Sequence, residues 1–411
     1  MSTSQTYVIV GAAFAGAKAA ETLREEGFDG RVVLLGEEDV RPYERPPLSK
    51  DYLRGEAGDD AIWVHDAGFY ADNDVELRTG VRVTELAVAA SEVVLAGGER
   101  IGFDKLLLAT GAAPRRLPVP GMELDGVHLL RTVHDSDRLR EALANGGRLV
   151  VIGAGWIGAE VAASARQKGV DVTLLAPEAV PLERVLGAEI GALYRDVHAA
   201  HGVDLALGTG VEAIEGSGRV TGVRASDGRL LEADLVVVGV GVAPRVELAE
   251  AAGLRVDDGV AVDDRLRTSA PNVFAAGDVA RAQHPLLGAA IRVEHWANAL
   301  EQGPAAARNM LGRDIAYDRV PYFFSDQYDV GMEYAGHAAP TDRVVFRGDP
   351  AAMEFLAFWL RDGRVTAGMN VNVWDVTDDI QALVRSGAPV DENALRDPDV
   401  PLSDLVASVE R

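Results

Sequence analysis

The sequence predicts an α/β protein with two similar parallel-sheet domains, followed by an α+β domain. Three observations lead to this fold class. The chain has 411 residues, which is too many for a single hydrophobic core. An apolar strand, a glycine-rich turn, a helix and a second strand follow one another in the same order twice. Beyond residue 320 the composition changes, because aromatic residues cluster there.

The first repeated segment begins near the N-terminus. Residues 7–10 form an apolar run that is typical of a buried strand, and the turn after it contains Gly11 and Gly16. An alanine-rich helical stretch leads to Gly27, and a second strand is predicted over residues 31–35.

The second repeated segment begins with a predicted strand over residues 149–152. A turn over residues 153–158 follows, then a predicted helix over 159–168 and a strand over 170–175. In both segments the last glycine of the turn and the glycine that ends the helix are 11 positions apart. This match indicates that the two segments are copies of one unit.

Both segments have the order of a Rossmann-like dinucleotide-binding unit. Glycines in such a turn let the backbone approach a pyrophosphate, and the helix N-terminus supplies N–H donors and a positive dipole end. A single turn is weak support, since glycine-rich turns are common in α/β proteins. Two turns with matched surroundings predict two dinucleotide-binding domains.

The two segments differ where a ribose would bind. Ala13 takes the place of the second glycine in the first turn, and Glu37 follows the next strand, placed to accept from ribose hydroxyls. The second segment has Ala176 and Pro177 at the equivalent place, and its nearest carboxylate is Glu178. No cluster of arginines replaces the missing acid, so the sequence does not favour a 2′-phosphate site.

Three later segments also read as a strand that ends at a glycine. Strands over residues 105–108 and 235–238 lead to Gly111 and Gly241, and a third leads to Gly277. The first two are expected to be exits from one nucleotide domain into the other. The predicted domains are therefore a discontinuous first domain of residues 1–111 and 244–320, an inserted second domain of residues 112–243, and a C-terminal domain of residues 321–411.

The C-terminal segment is predicted to form antiparallel strands and a helix. The aromatic residues Phe355, Phe358 and Trp359 are interpreted as part of an alternating apolar and polar pattern, which predicts antiparallel strands with one buried face. A helix over residues 378–386 and a polar tail complete this α+β domain.

The composition excludes several classes of function. A formal net charge of -24 argues against nucleic acid or an anionic membrane as a partner. The chain has no cysteine, which excludes disulfides, thiolate metal sites, iron–sulfur ligation and a redox CxxC pair. The histidines lack metal-ligand spacing, so no metal site is expected. With no visible signal peptide and no apolar run long enough to span a bilayer, a cytoplasmic protein is expected; the oligomeric state cannot be predicted.

Several motifs along nearly the whole chain resemble those of one family. The chain resembles the FAD-dependent ferredoxin reductases of bacterial cytochrome P450 and aromatic-ring oxygenase systems. These reductases belong to the superfamily with two dinucleotide-binding domains that also contains glutathione reductase. The motifs that carry the resemblance are Arg45-Pro46-Pro47-Leu48-Ser49-Lys50, Ala109-Thr110-Gly111, Ala276-Gly277-Asp278, Glu294 with Asn298 and Gln302, and Ser325-Asp326-Gln327.

The resemblance implies FAD in the first, discontinuous domain and NADH in the inserted domain 112–243. The implied FAD-binding residues are Gly11, Ala15, Gly16, Glu37, Arg45, Lys50, Val83, Ala109, Thr110, Gly111, Arg131, Gly277, Asp278, Glu294 and Trp296. The implied NAD-binding residues are Gly153, Gly155, Trp156, Ile157, Gly158, Glu160 and Gly241. For Val83 and Arg131 the resemblance is the only argument.

The resemblance implies specific roles for four of these residues, and for three of them a simpler alternative exists. By resemblance, Lys50 lies close to flavin N5 and pairs with Glu160, and these two are the catalytic candidates; a surface lysine after a turn is the alternative. Asp278 would contact the ribityl hydroxyls, or could cap a following helix. Trp296 would begin a helix whose positive end faces the flavin, or could belong to the core.

The resemblance implies a flavoenzyme that passes electrons from NADH through FAD to a small [2Fe-2S], [3Fe-4S] or [4Fe-4S] ferredoxin serving a P450 or ring-hydroxylating oxygenase. Two alternatives stay open: a reductase of rubredoxin, a quinone or monodehydroascorbate, and an FAD/NADH redox sensor of the apoptosis-inducing-factor type. Tyr322 and Phe324 replace tryptophans that are usual in the family, which affects the electron exit route. Arg292, Arg308, Arg313 and Arg319 are expected to form a basic docking patch for an acidic ferredoxin.

Overall fold

The computed structural model describes residues 5–58 and 60–409, and the chain divides into two compact units. Unit 1 comprises the described residues of Met1–Glu44, Ile62–Ala113 and Ala243–Pro321. Unit 2 comprises those of Arg45–Ala61, Pro114–Val242 and Tyr322–Arg411.

The described residues contain helices and strands in the following order. The helices are α1 (Phe14–Glu25), α2 (Asp51–Arg54), α3 (Phe69–Asp72), α4 (Val133–Ala144), α5 (Trp156–Gln167), α6 (Glu183–Leu186), α7 (Ala188–Ala200), α8 (Glu247–Ala251), α9 (Trp296–Met310), α10 (Thr377–Ser386), α11 (Glu392–Arg396) and α12 (Leu402–Val409). The strands are β1 (Thr6–Val10), β2 (Arg31–Leu35), β3 (Val75–Arg78), β4 (Val83–Ala87), β5 (Glu92–Leu95), β6 (Arg100–Gly102), β7 (Lys105–Leu108), β8 (Ala112–Pro114), β9 (Val127–His128), β10 (Arg148–Ile152), β11 (Asp171–Ala176), β12 (Asp204–Leu207), β13 (Val211–Ser217), β14 (Arg219–Ala225), β15 (Leu230–Glu232), β16 (Leu235–Val238), β17 (Val242–Pro244), β18 (Val260–Val262), β19 (Val273–Ala275), β20 (Ala280–His284), β21 (Ala289–Arg292), β22 (Tyr322–Gln327), β23 (Val330–Gly336), β24 (Arg343–Asp349), β25 (Glu354–Arg361) and β26 (Arg364–Val371).

Unit 1 is built around a parallel sheet with the strand order β19-β7-β1-β2-β3. Most of the strand residues are aliphatic, and in β1, β2 and β7 all residues after the first are buried, as expected for the central strands of a parallel sheet. Two three-stranded sheets, β4-β5-β6 and β18-β20-β21, complete the unit.

Unit 2 contains a second parallel sheet, with the order β12-β11-β10-β16-β9. The two sheets have corresponding arrangements, because β1 and β10 each lie between the strand that follows them and a strand from much later in the chain. The duplicated α/β fold predicted from the sequence is confirmed.

The C-terminal part of unit 2 is a five-stranded antiparallel sheet with the order β22-β23-β26-β25-β24. The predicted alternation of buried and exposed residues in β25 is wrong, because all six interior residues of this strand are buried. Trp359 packs in one cluster with Ile190 and Tyr194 of α7, while Phe358 on the other face lies beside Gly368, which contacts Ile380 of α10. Helices therefore cover both faces of this sheet.

The segment after residue 386 is not the polar tail that the sequence predicts. It contains α11 and α12, and Leu395, Leu402 and Leu405 are buried. Apolar residues at this spacing give each short helix one side that packs onto the unit.

Arg347 of β24 anchors this last segment. Its guanidinium is buried and donates to the backbone carbonyl oxygens of Ala394 at 3.5 Å, Leu395 at 3.4 Å, Pro398 at 3.4 Å and Val400 at 2.5 Å. One side chain thus satisfies carbonyl groups over the whole stretch between α11 and α12.

Replacing Arg347 by Met should lower the free energy of unfolding by about 1–3 kcal/mol, because buried carbonyl groups lose their donor. Denaturant unfolding measures this loss, and proteolysis should then cleave the last segment first. Arg396→Met is the matched control: Arg396 is half exposed and pairs with Glu392, so its loss should cost less than about 1 kcal/mol. Equal losses in the two variants would contradict the anchoring role.

Two boundary details differ from the sequence prediction. α5 begins at Trp156, three residues before the predicted start at 159, because the residues that follow Gly155 in the turn are already helical. Residues 45–61 belong to unit 2, whereas the predicted FAD-binding domain includes them. The predicted domain boundaries concern nucleotide binding, and they stay a prediction. Within the described ranges, no helix has both the length and the apolar character needed to cross a membrane.

Candidate functional site

The first glycine turn lies at the carboxyl ends of β1 and β7, where the strand order of the sheet reverses. A Cβ on Gly11 would lie 2.0 Å from the carbonyl oxygen of Ala109, and Gly11 has a φ of +119°. A Cβ on Gly16 would lie 2.0 Å from the carbonyl oxygen of Gly11. The structure thereby brings the first turn together with Ala109, Thr110 and Gly111 at the kind of crevice where open α/β sheets bind ligands.

The second glycine turn has the same geometry between β10 and β16. A Cβ on Gly153 would lie 2.4 Å from the carbonyl oxygen of Gly239, and one on Gly158 would lie 1.8 Å from that of Gly153. A Cβ on Gly155 would meet no described atom within 4 Å, and the same holds at Gly241. Two glycines therefore close the turn, while Gly155 leaves space beside its backbone.

The helices that follow these turns have N-termini without a side-chain cap. Within the described part of the chain, no side chain caps α1 or α5, and neither helix has an acidic residue in its first turn. The capping box of Thr132 and Asp135 on α4 shows the contrasting arrangement. Uncapped N–H groups and a positive dipole end fit a phosphate-bearing ligand at each turn.

Glu37 lies just past β2, as the sequence indicates. Its carboxylate accepts from Arg245 Nη1 at 2.6 Å and lies 3.7 Å from Arg82 Nε. Thr110 Oγ1 donates to the Arg245 carbonyl oxygen at 2.9 Å, which connects this pair to the strand end at β7. Glu37 is half exposed, so the carboxylate stays accessible to a polar ligand.

Asp278 lies within a 3₁₀ turn, Gly277–Val279, that leads directly into β20. No longer helix follows it, so the alternative role of Asp278 as a helix cap is wrong. Gln302 of α9 accepts from the Gly277 N–H at 2.9 Å, which joins the Gly-Asp turn to α9.

Trp296 is the first residue of α9, and it stacks on Phe14 at the start of α1 with a centroid distance of 5.3 Å. Its indole N–H donates to Glu44 Oε2 at 3.1 Å. Burial raises the pKa of Glu44, although this hydrogen bond opposes the rise. A Cβ on Gly303 would lie 2.4 Å from the Ala15 carbonyl oxygen, so α9 packs directly on α1 and brings Trp296 to the first glycine turn.

Lys50 and Glu160 form a buried ion pair inside unit 2. The Lys50 ammonium lies 3.0 Å from Glu160 Oε1, and the two side chains are only 8% and 5% exposed. Lys50 also donates to the Pro46 carbonyl oxygen at 3.2 Å and lies 5.6 Å from the centre of the Phe324 ring. The surface alternative for Lys50 is wrong, because the proline-rich segment 46–49 turns the side chain inward.

Two serines complete the surroundings of the Glu160 carboxylate. Ser49 Oγ donates to Oε2 at 2.5 Å and Ser325 Oγ donates to Oε1 at 2.7 Å. Both serines are buried, and Ser49 is fixed by Ser164, which donates to its carbonyl oxygen at 2.7 Å. Sequence reasoning cited Ser325 as a family motif but missed this contact, which joins β22 to α5.

The remaining predicted residues are distributed over both units. Unit 1 contains Gly11, Ala15, Gly16, Glu37, Val83, Ala109, Thr110, Gly111, Gly277, Asp278, Glu294 and Trp296. Unit 2 contains Arg45, Lys50 and Arg131 together with all the predicted NAD-binding residues. Arg45 donates to the carbonyl oxygen of Arg131, so these two predicted FAD contacts are neighbours. Trp156 packs edge-on against Phe323 at 4.8 Å.

An ion pair follows β11 near the predicted ribose position. Arg184 Nε lies 2.5 Å from Glu178 Oε1. The segment between them folds back onto the second glycine turn, because the Leu182 N–H donates to the Ala154 carbonyl oxygen at 2.8 Å. Sequence reasoning noted Glu178 but missed Arg184.

The four arginines expected to form a basic patch do not form one. Arg292 is largely buried and pairs with Glu294 and Asp258. Arg308 and Arg313 both pair with Glu26, at 2.9 and 3.2 Å, and Arg319 lies 3.4 Å from Glu301. Arg308 is also twelve residues along α9 from Trp296, which is about 18 Å of helix.

These features define a two-dinucleotide oxidoreductase, and comparison with known proteins identifies the family. The chain belongs to the pyridine nucleotide-disulphide oxidoreductase family, whose model matches residues 5–303, and a reductase C-terminal model matches residues 322–406. Membership implies binding of FAD and of a pyridine nucleotide. The fold class and the family resemblance stated above are confirmed.

The chain is similar to several reductases over its full length. It is 37% identical to the putidaredoxin reductase of Pseudomonas putida, over 100% of this chain and 99% of the relative. It is 40% identical to the ferredoxin–NAD(+) reductase component of the anthranilate 1,2-dioxygenase system of Burkholderia cepacia, over 97% of this chain and 99% of the relative. The reductase in a crystal structure of the covalent putidaredoxin reductase–putidaredoxin complex superposes with a TM-score of 0.95 at 38% identity, covering 99% of each chain.

Proposed function

We propose that this protein is an FAD-containing, NADH-dependent ferredoxin reductase. The observation that carries the proposal is the pair of matched glycine turns, each at the switch point of its own parallel sheet. Two such turns in one chain suit an enzyme that holds a flavin dinucleotide and a nicotinamide dinucleotide together.

The residues present fit both cofactors. Each turn combines closely packed glycines with an uncapped helix N-terminus, which is the arrangement that a pyrophosphate requires. Bound FAD would supply the redox chemistry, which is acceptance of a hydride from the nicotinamide and release of single electrons. The protein contributes binding, orientation and charge.

The roles proposed for the site residues are those that the family resemblance implies. Lys50 supplies a fixed positive charge, and Glu160 holds it in place through the buried ion pair. Asp278 is proposed to bind the ribityl chain, and Trp296 places the N-terminus of α9 beside the first turn.

The proposed acceptor is a small iron–sulfur ferredoxin. The chain has no cysteine, so electrons cannot pass through a thiol pair as they do in disulfide reductases. The similar reductases are named for ferredoxins or for putidaredoxin, and the shared C-terminal region supports the same kind of acceptor here.

The experiment is NADH-driven reduction of a panel of purified ferredoxins by the FAD-loaded protein. At least one ferredoxin should be reduced as fast as a small dye. Fast reduction of rubredoxin or a quinone instead would assign another acceptor. A long-lived complex of the reduced protein with NAD, with slow turnover of every acceptor, would favour the redox sensor.

NADH is the proposed coenzyme, with modest discrimination against NADPH. The Glu178–Arg184 pair contains one group that suits each coenzyme. The Glu178 carboxylate can accept from the ribose hydroxyls of NADH, and the exposed Arg184 guanidinium can bind the 2′-phosphate of NADPH, so neither coenzyme is strongly excluded. In Glu178→Ala, the ratio of kcat/KM for NADH to that for NADPH should fall about tenfold or more, the value of a charged hydrogen bond. Glu189→Ala, an exposed acid on α7, is the control. A wild-type protein that strongly prefers NADPH would contradict this assignment.

A further inference from the structure

His198 is a fully buried histidine that none of the roles above uses. It lies on α7, where its Nε2 is 3.0 Å from Gln327 Oε1 and its Nδ1 is 3.3 Å from the Tyr328 hydroxyl. Burial lowers the pKa of His198 to about 4, so the ring is neutral near pH 7.

A line of hydrogen bonds connects this histidine to the buried ion pair. Gln327 Nε2 lies 3.4 Å from Ser325 Oγ, and Ser325 Oγ lies 2.7 Å from Glu160 Oε1. Ser325 and Gln327 are two residues apart on β22, so both point to the buried face, while Asp326 between them is exposed. This alternation gives the Ser-Asp-Gln motif a structural meaning.

The hydrogen bonds in this line have one consistent direction. Gln327 Oε1 can only accept, so the proton of the neutral ring is on Nε2, and Nδ1 accepts from the Tyr328 hydroxyl. The Gln327 amide then donates to Ser325, whose hydroxyl donates to Glu160. Every donor therefore points towards the Glu160 carboxylate, which also faces the Lys50 ammonium.

We propose that His198 is a positioning residue that orients the Glu160 carboxylate through Gln327 and Ser325 for the reaction with the nicotinamide. The role is orientation and not proton transfer, because an amide in the middle of the line keeps its protons. The inference rests on the proposed function, since it concerns the NADH-dependent step of that site.

The test measures how fast NADH bleaches the flavin absorbance of the FAD-loaded protein, with no ferredoxin present. His198→Leu removes the donor, while His198→Gln keeps an N–H near the position of Nε2. We expect the leucine variant to react about tenfold more slowly, the effect of one buried hydrogen bond, and the glutamine variant to stay within about threefold of wild type.

Tyr194→Phe is the matched control on the same helix. Tyr194 is one turn from His198 and equally buried, and its hydroxyl has no hydrogen-bond partner among the described residues. The rate should be unchanged in this variant. Melting temperatures of all variants separate loss of fold from loss of rate.

A double-mutant comparison tests the path. If His198 acts through Ser325, His198→Leu should add little to the loss already caused by Ser325→Ala. The proposal would be overturned if His198→Leu slowed the reaction with NADH as much in the Ser325→Ala background as in wild type. It would also be overturned if His198→Leu and His198→Gln lost rate equally, or if neither variant lost rate. If wild-type protein does not react with NADH at all, the proposed function fails first.

Discussion

Replacing Glu160 by Ala should lower the free energy of unfolding by about 3–5 kcal/mol, because it leaves the Lys50 ammonium buried without its partner. The same variant should lose about 100-fold in NADH-dependent reduction of ferricyanide, since a reacting group displaced by about 1 Å costs that much. Denaturant unfolding measures the first effect and steady-state kinetics the second.

The double variant Lys50→Met with Glu160→Leu separates these two effects. It replaces the ion pair with apolar side chains of similar volume, an exchange that is often neutral or stabilising. Stability should return towards wild type while activity stays low. If activity returned together with stability, Lys50 and Glu160 would be structural residues and not part of the reaction site.

The two glycine substitutions in the second turn should affect different properties, stability in one variant and NADH binding in the other. Gly158→Ala should destabilise the protein by about 1–3 kcal/mol or more, because its Cβ would lie 1.8 Å from a carbonyl oxygen and the turn must shift. Gly155→Ala should fold normally, since its Cβ meets no described atom within 4 Å. The added methyl group would occupy the space proposed for the pyrophosphate, and KM for NADH should rise about 10–200-fold.

Each glycine variant is the control for the other. Thermal unfolding should show a loss only for Gly158→Ala, and kinetics should show a raised KM for Gly155→Ala at unchanged stability. Unchanged KM in Gly155→Ala would mean that the nucleotide does not pass over this turn.

The duplicated fold could be predicted because its signals are local. The apolar strands, the turn glycines and the spacing from Gly16 to Gly27 and from Gly158 to Gly169 all lie within short stretches of sequence. The steric reason for Gly16 and Gly158 is also local, because each avoids the carbonyl oxygen of the first glycine of its own turn. Gly11 and Gly153 instead avoid the carbonyl oxygens of Ala109 and Gly239, which come from strand ends much later in the chain.

The parts that could not be predicted depend on residues far apart in the chain. Ser325 lies 165 positions from Glu160, and His198 lies 129 from Gln327, so no local pattern joins them. The expected arginine patch failed for the same reason, because Glu26 neutralises Arg308 from 282 positions away. The buried C-terminal segment was missed since its anchor, Arg347, lies on another element.

The most direct test of the central claim is anaerobic mixing of the FAD-loaded protein with NADH and an excess of oxidised ferredoxin. The FAD-loaded protein is used either untreated or after treatment with a thiol-alkylating reagent that is removed before the ferredoxin is added. NADH carries two electrons and a ferredoxin accepts one, so two ferredoxins should be reduced for each NADH consumed. The rate should be the same after alkylation, because the chain has no cysteine. The account would be contradicted if the protein consumed NADH and reduced dyes quickly but reduced none of the ferredoxins tested.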